Sequence, residues 1–268
     1  MNTRTDNVTV FKDTMSMCEH DPSLKKAVQA SIAGTVLYEP GEKIDIGEPR
    51  YEDTEVSITK ERTFATVQKT VLKGRTAVLN FASAVNPGGG VTRGASAQEE
   101  ALCRCSTLYP VLNTKTLFEN YYKVHRRERD CRFSDRVIYS PDIMIIKDDT
   151  DHPERLDPHY RQPVDVITCA APNLRPDWDP PVIVTGDELY NIHLSRGRQI
   201  LSSAAAHQAD NVILGAFGCG AFCNDPDIVS AAYDALLDEF AGYFDQVIFA
   251  VFCRDYETAN YDAFARIV

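Results

Sequence analysis

The sequence predicts an α/β protein in which helices cover both faces of a β-sheet, and three observations carry that expectation. In the last third of the chain, apolar strand-sized runs alternate with long helical patterns: strand 164–170, helix 187–208, strand 212–217, helix 226–243, strand 246–252. Such alternation is the signature of a sheet packed between helices. Two Gly-rich loops, 86–100 and 215–224, each leave a strand and open onto a helix, the position at which sheets of this kind bind ligands. Finally, 268 residues with 44% apolar content suffice for one large core, and no Gly/Ser-rich or Pro-rich linker divides the chain.

Taken in order, residues 9–32 read as mostly helical, with Asp21-Pro22-Ser23 breaking them into two helices. Residues 35–38 and the β-branched stretch 56–70 read as strand-like segments around an acidic loop. A clear strand, 76–82, leads through Pro87-Gly88-Gly89-Gly90 to a helical pattern over 97–112. Residues 136–139 and 143–147 form a candidate pair of strands around Ser140-Pro141. A charged loop, 148–163, precedes strand 164–170, and a Pro-rich loop, 176–181, precedes helix 187–208. A short helix closes the chain, and no internal repeat is visible. Residues 1–50 are expected to form a helical extension packed on a main unit of residues 51–268.

Composition excludes several functions. The net charge of −11 and pI near 5.0 argue against a large electrostatic footprint for duplex nucleic acid. They leave room for a small phosphate-bearing ligand held by backbone N–H groups, which add no formal charge. Apolar runs such as 247–252 are far too short to span a bilayer, and the polar N-terminus does not resemble a secretory signal. A soluble, intracellular and monomeric protein is expected, cytoplasmic or, in a eukaryotic host, nuclear. The eight cysteines contain no Cys-x-x-Cys pair, so buried reduced thiols are expected rather than disulfides or zinc. His152, His159 and the nearby aspartates lack metal-ligand spacing, and neither metal nor cofactor is expected.

The chemistry concentrates in the two loops. In the first, Asn86-Pro87-Gly88-Gly89-Gly90, the consecutive glycines let backbone approach a ligand closely. A flexible surface turn is the bland alternative, weakened by the loop's anchorage between strand and helix. The following Ser96-Ala97-Gln98-Glu99 fits a capping box, in which Ser96 caps the helix and Glu99 reaches back. That would make Glu99 structural, but Glu100 points about 100° away on a helix and needs another explanation. The second loop, Gly215 to Asn224, precedes a helix start marked by Asn224-Asp225-Pro226. Its Gly-x-x-Gly-x-Gly spacing departs from the dinucleotide fingerprint, and no Lys-Ser/Thr follows as in a Walker loop. Arg126-Arg127-Glu128-Arg129 is mixed in sign and reads as a solvated helix end, with contact to a polymer's phosphates as its functional alternative.

Gly88-Gly89-Gly90, seven residues, then Gln98-Glu99-Glu100 resembles the signature of poly(ADP-ribose) glycohydrolases. Leu79 to Pro87 and Gly215 to Asn224 are similar to the shorter, microbial-type branch, and the likeness spans nearly the whole chain. The resemblance implies a macrodomain-like mixed β-sheet sandwiched between helices. It implies hydrolysis of the ribose–ribose bond in poly(ADP-ribose), mainly at chain termini, with ADP-ribose as product and ADP-ribosylated proteins as partners. It makes Glu100 the catalytic acid and Glu99 the residue orienting the distal ribose. Substrate-binding candidates are Asn86, Gly88, Gly89, Gly90, Val91 and Gln98 from the first motif, and Gly218, Cys219, Gly220, Ala221 and Phe222 from the second. Of these, Asn86 matches a ribose contact, the glycines a pyrophosphate site, and Phe222 a wall of the terminal-ribose pocket.

Glycosidases usually flank the scissile bond with two carboxylates; the resemblance instead gives Glu100 both proton steps. Desolvation by bound substrate, the neighbouring Glu99 and the pyrophosphate all favour the protonated acid, against the pull of the helix N-terminus, so substrate binding is expected to prime it. Three rivals remain at this point: a macrodomain that binds ADP-ribose without cutting, a hydrolase of mono-ADP-ribosyl or O-acyl-ADP-ribose substrates, and a Rossmann oxidoreductase.

Overall fold

Seven strands form one mixed sheet in the order β1-β4-β5-β3-β6-β7-β2 in the computed structural model. It describes residues 3–177 and 182–268; residues 178–181 of the expected Pro-rich loop lie outside it. The strands are β1 Val36–Tyr38, β2 Glu55–Thr59, β3 Thr76–Phe81, β4 Val137–Ile145, β5 Gln162–Cys169, β6 Asn211–Leu214 and β7 Gln246–Ala250. Strands β5, β3, β6, β7 and β2 run parallel, while β4 pairs antiparallel with both β5 and β1. The C-terminal ends of the five parallel strands therefore share one edge of the sheet.

Alternation along the central strands sorts their side chains into two cores. Val78, Ile213 and Ile248 face one layer, while Ala77, Leu79, Val212, Leu214, Val247 and Phe249 face the other, as the two-residue pleat requires. The first core is closed by α1 (Thr3–His20), α2 (Pro22–Gly34), α3 (Thr63–Lys69), α4 (Gln98–Cys105), α5 (Leu108–Leu112) and α6 (Lys115–Leu117), and α7 (Lys123–Glu128) follows in the chain. The second is closed by α8 (Gly186–Ala206), α9 (Pro226–Glu239) and α10 (Ala259–Phe264). Both faces of the parallel strands are covered, which is why their sequences read as continuous apolar runs. No helix among the described residues is long and apolar enough to cross a membrane.

Helix α1 is bound to the core by polar contacts as well as packing. The buried Lys147 ammonium donates to Val10 O at 2.7 Å and pairs with Asp13 at 2.9 Å. Thr14 hydroxyl donates to Arg104 O, and Asn7 Nδ2 donates to Gly94 O at 3.1 Å. The break before α2 arises as its sequence suggests: Asp21 caps the helix by accepting from Ser23 N and Leu24 N, with Pro22 at the first position.

Three expected elements differ. The stretch 56–70 is strand only over β2; its second half is α3, whose first-turn amide of Phe64 donates to the Asp149 carboxylate at 3.1 Å. A distant acceptor thus satisfies an orphan helix donor and overrides β-propensity. Residues 136–147 do not form a pair of strands. They belong mainly to one strand, β4, whose register on β5 shifts between Ser140 and Ile143. Pro141 has no N–H to give the ladder, and Asp142 there adopts φ 55° and donates its N–H to Asp165 at 2.9 Å. The pattern over 97–112 is two helices, because Pro110 lacks the N–H that would bond the carbonyl of Ser106.

Candidate active site

A cavity of about 1040 Å³ opens at the C-terminal ends of β3, β5, β6 and β7. The loop after β3 supplies one wall and the loop after β6 the opposite one, with α4 beneath the first. Asn86, Gly89, Gly90, Gln98, Glu99 and Glu100 line it from the first motif, and Gly218, Gly220, Ala221 and Phe222 from the second. The remaining candidates, Gly88, Val91 and Cys219, lie outside the cavity lining. Val91 is fully buried and Cys219 packs against the second core.

The glutamate pair is held in two different ways. Glu99 is buried; its Oε2 accepts from Ser83 N at 2.7 Å and its Oε1 from Asn80 Nδ2 at 3.5 Å. The capping box is therefore not formed: Ala97 occupies the N-cap position, no side chain caps α4, and Glu99 turns to the loop after β3. Glu100 Oε1 accepts from Gly90 N at 2.7 Å, so the glycine loop clamps the carboxylate directly. Gly89 has φ +59°, and a Cβ on it would lie 2.5 Å from Glu100 Oε1 and 2.9 Å from Glu99 Oε2. Only glycine fits between the loop and both acids.

Gln98 does a strand's work. Its Oε1 accepts from Phe81 N at 2.9 Å, and its Nε2 donates to Leu79 O at 2.7 Å and Thr63 Oγ1 at 3.1 Å. The amide sews α4 to the end of β3 and α3, which places Glu99 and Glu100 in register with the cavity.

Amide groups in the two loops are used differently. In the first, Gly89 N bonds Asn86 O at 3.0 Å and Val91 N bonds Gly88 O at 3.1 Å, while Gly90 N holds Glu100. These donors shape the loop itself. In the second, among the described residues, the N–H groups of Gly218, Gly220, Ala221 and Phe222 meet no protein acceptor. Successive unpaired amides of this sort make a concave anion site.

A buried network fixes that second loop. Asn224 Nδ2 donates to Pro172 O at 2.7 Å and Phe222 O at 3.1 Å, so its Oδ1 is left to accept from His193 Nε2 at 2.7 Å. Burial pushes His193 down to about 4, so the ring is neutral near pH 7 and carries its single proton on Nε2. Leu174 N also donates to Phe222 O, at 2.9 Å. The Phe222 backbone is thereby fixed from the β5 side where the residue lines the cavity, and its side chain packs against the second core.

Sequence reading missed several walls. Arg4 and Asn7 reach the cavity from α1, Arg93 and Arg175 from the loops, and Arg62 and Phe252 from the β2–β7 side. The Arg62 guanidinium lies 4.6 Å from the centroid of Phe252. Arg93 stands inside the first motif, and its charge beside the glycines was a legible signal. Nothing local marks Arg4, which arrives only because α1 packs against the loop.

Burial pushes the Glu99 carboxyl well above the ordinary carboxylate range, and the Glu100 charge adds to it. From the ordinary value of 4.5 upward, native Glu99 keeps a proton that the unfolded chain has lost, so stability falls as pH rises through that window. Glu99→Gln removes this loss and keeps an acceptor for Ser83 N. Its thermal midpoint should exceed that of the wild type by a margin that widens from about pH 5 to pH 8. A margin independent of pH in thermal melts would refute the buried-acid account.

Fold and site together define a macrodomain-like hydrolase, with an acid pair on one wall of the cavity and a loop of unpaired amides on the other. Residues 6–148 match the model of the microbial-type PARG catalytic domain. The poly(ADP-ribose) glycohydrolase of Thermomonospora curvata, bound to the inhibitor ADP-HPD, is 32% identical, with TM-score 0.83 over 99% of this chain and 100% of that one. The Deinococcus radiodurans poly(ADP-ribose) glycohydrolase in complex with ADP-ribose is 36% identical, with TM-score 0.77 over 90% and 96%. The curated proteins compared give no match. The chain belongs to the microbial-type poly(ADP-ribose) glycohydrolases.

Proposed function

We propose that the protein hydrolyses the ribose–ribose bond of poly(ADP-ribose), releasing ADP-ribose mainly from chain termini, with Glu100 carrying both proton transfers. The carrying observation is the grip on Glu100: Gly90 N–H occupies Oε1, so the acidic proton belongs on Oε2. From there it passes to the leaving ribose oxygen as the glycosidic C–O bond breaks and the bonding pair moves to that oxygen. The remaining sugar becomes an oxocarbenium-like cation. Water attacks its anomeric carbon from the cavity and returns a proton to Glu100, which is regenerated with one water consumed.

The other cavity residues supply binding and charge. The open amides of Gly218, Gly220, Ala221 and Phe222 suit a pyrophosphate, whose negative charge beside the sugar favours the cationic transition state. Glu99, pushed toward its protonated form by burial, orients the distal ribose by hydrogen bonding. Asn86 contacts a ribose hydroxyl, and the Phe222 ring packs against the terminal ribose. The arginines lining the cavity, Arg4, Arg62, Arg93 and Arg175, make a basic wall in a chain of net charge −11. Cavity size supports one bound unit, since pockets of about 300–1,000 Å³ hold a single ligand. Residues 1–50 act as an extension docked on the unit of 51–268. The protein works as a cytoplasmic monomer on poly(ADP-ribose) and ADP-ribosylated proteins.

The direct test is incubation with poly(ADP-ribose)-modified protein, followed by chromatography of the products. Free ADP-ribose as the dominant early product supports terminal cleavage. Early oligomers would overturn the terminal preference, and ADP-ribose binding without any release would overturn the enzyme.

A further inference from the structure

The charged run 126–129 is exposed at the end of α7, as its sequence suggests, yet one of its arginines is tied to the fold. Arg126, on α7, turns back onto the loop after β3. Its Nε donates to Val85 O at 2.7 Å and its Nη2 to Asn86 Oδ1 at 2.8 Å. The guanidinium stands over the Phe118 ring, 5.0 Å from its centroid. Phe118 opens a π-helical turn, Phe118–Tyr122, just ahead of α7. Such turns insert a residue into a helix and recur at functional sites.

A guanidinium only donates hydrogen bonds. Asn86 must therefore present Oδ1 to Arg126, and its Nδ2 is left pointing elsewhere. Asn86 lines the cavity, and Nδ2 makes no hydrogen bond to a described residue. The Asn86 backbone needs no help from Arg126: its N–H donates to Ser83 Oγ at 3.1 Å and its carbonyl accepts from Gly89 N at 3.0 Å. Arg126 thus grips the loop at Val85 O and, through Oδ1, fixes the rotation of the Asn86 side-chain amide.

We infer that Arg126 is a positioning residue that locks the Asn86 amide with its N–H₂ group facing the cavity, as a donor to a hydroxyl of bound ADP-ribose. The inference rests on the reading of Asn86 as a ribose contact. Arg126 stands outside the cavity lining and acts through the Asn86 amide, with its bond to Val85 O anchoring the guanidinium on the loop.

The test is a double-mutant cycle read by calorimetric ADP-ribose affinity, by kcat/KM on the polymer, and by NMR of the Asn86 side-chain amide. Asn86→Ala should weaken ADP-ribose binding by about tenfold and Arg126→Ala by about threefold to tenfold, the worth of one hydrogen bond. The double variant should match Asn86→Ala within about twofold, because coupled residues do not add. Arg126→Lys, which also only donates, should retain more affinity than Arg126→Gln, which can accept and let the amide turn. In the ligand-free protein, Arg126→Ala should shift the Asn86 side-chain amide resonances, and Arg126→Lys should shift them less.

Full additivity in the double variant would overturn the inference and make Arg126 an independent contact. Unchanged amide resonances in Arg126→Ala would also overturn it, with or without ligand. If Asn86→Ala leaves affinity intact, the ribose reading of Asn86 falls and this inference with it. Wild-type cleavage of the polymer would then still uphold the enzyme.

Discussion

Glu100→Gln should lower kcat for ADP-ribose release by about 10²–10⁴-fold, the span of a lost general acid–base group. Affinity for ADP-ribose should stay within a few-fold. The substitution is close to silent in structure. A glutamine oxygen can take the Gly90 N–H bond that Oε1 now accepts, and the side-chain volume is unchanged. What disappears is the transferable proton. The comparison is made by single-turnover kinetics on modified protein, with calorimetry on ADP-ribose in parallel. A fall in kcat with preserved affinity assigns the group to the transition state. Equal losses in both would mean that Glu100 serves binding, and full activity would place the proton source elsewhere.

Gly89→Ala should be nearly as damaging by a different route. The new methyl would stand 2.5 Å from Glu100 Oε1 and 2.9 Å from Glu99 Oε2, at φ +59°. The backbone alone costs about 1–2 kcal/mol for a left-handed non-glycine residue. Neither carboxylate can step aside freely, since Ser83 N holds one and Gly90 N the other. A stability loss of about 2–3 kcal/mol is expected, a drop in thermal midpoint of roughly 4–12 °C for a protein of this size. Turnover should fall by about 10²-fold or more, because a displacement near 1 Å at the reacting group has that effect. Thermal melts and kinetics at a temperature where the variant stays folded separate the two losses. An alanine variant with wild-type turnover would show that the loop can retreat without moving Glu100.

Much of this architecture was legible because its signals are local. The parallel core strands announced themselves as apolar runs, and α8 and α9 as long patterns with polar starts. The two glycine loops fell where strand ends must place them. The misread pieces are those in which a distant residue decides. Phe64 is helical because Asp149 accepts its amide. Residues 136–147 form mainly one strand because β5 is their common neighbour on both sides of the bulge. Glu99 had a local partner on offer in Ser96 and took Ser83 N and Asn80 instead. Within the site, the glycine loops stood out in the residues themselves, whereas the glutamates gained roles only through the resemblance to a family motif. The arrival of Arg4 from α1 and the grip of Arg126 on Asn86 were not legible, because each depends on contacts across tens of residues.

The second loop offers the cavity main-chain donors, and that choice bears on how such a protein can change over time. An amide hydrogen belongs to the path of the chain and not to the identity of the residue. Positions such as Cys219 and Ala221 are free to drift so long as Asn224 and His193 keep the path in place. The first loop has no such freedom, since a side chain on Gly89 would strike both acids, one on Gly88 the Tyr109 ring and one on Gly90 the Ala95 methyl. Descent from a common ancestor should therefore leave one loop spelled almost letter for letter and the other preserved chiefly as a shape, within chains that share only about a third of their residues.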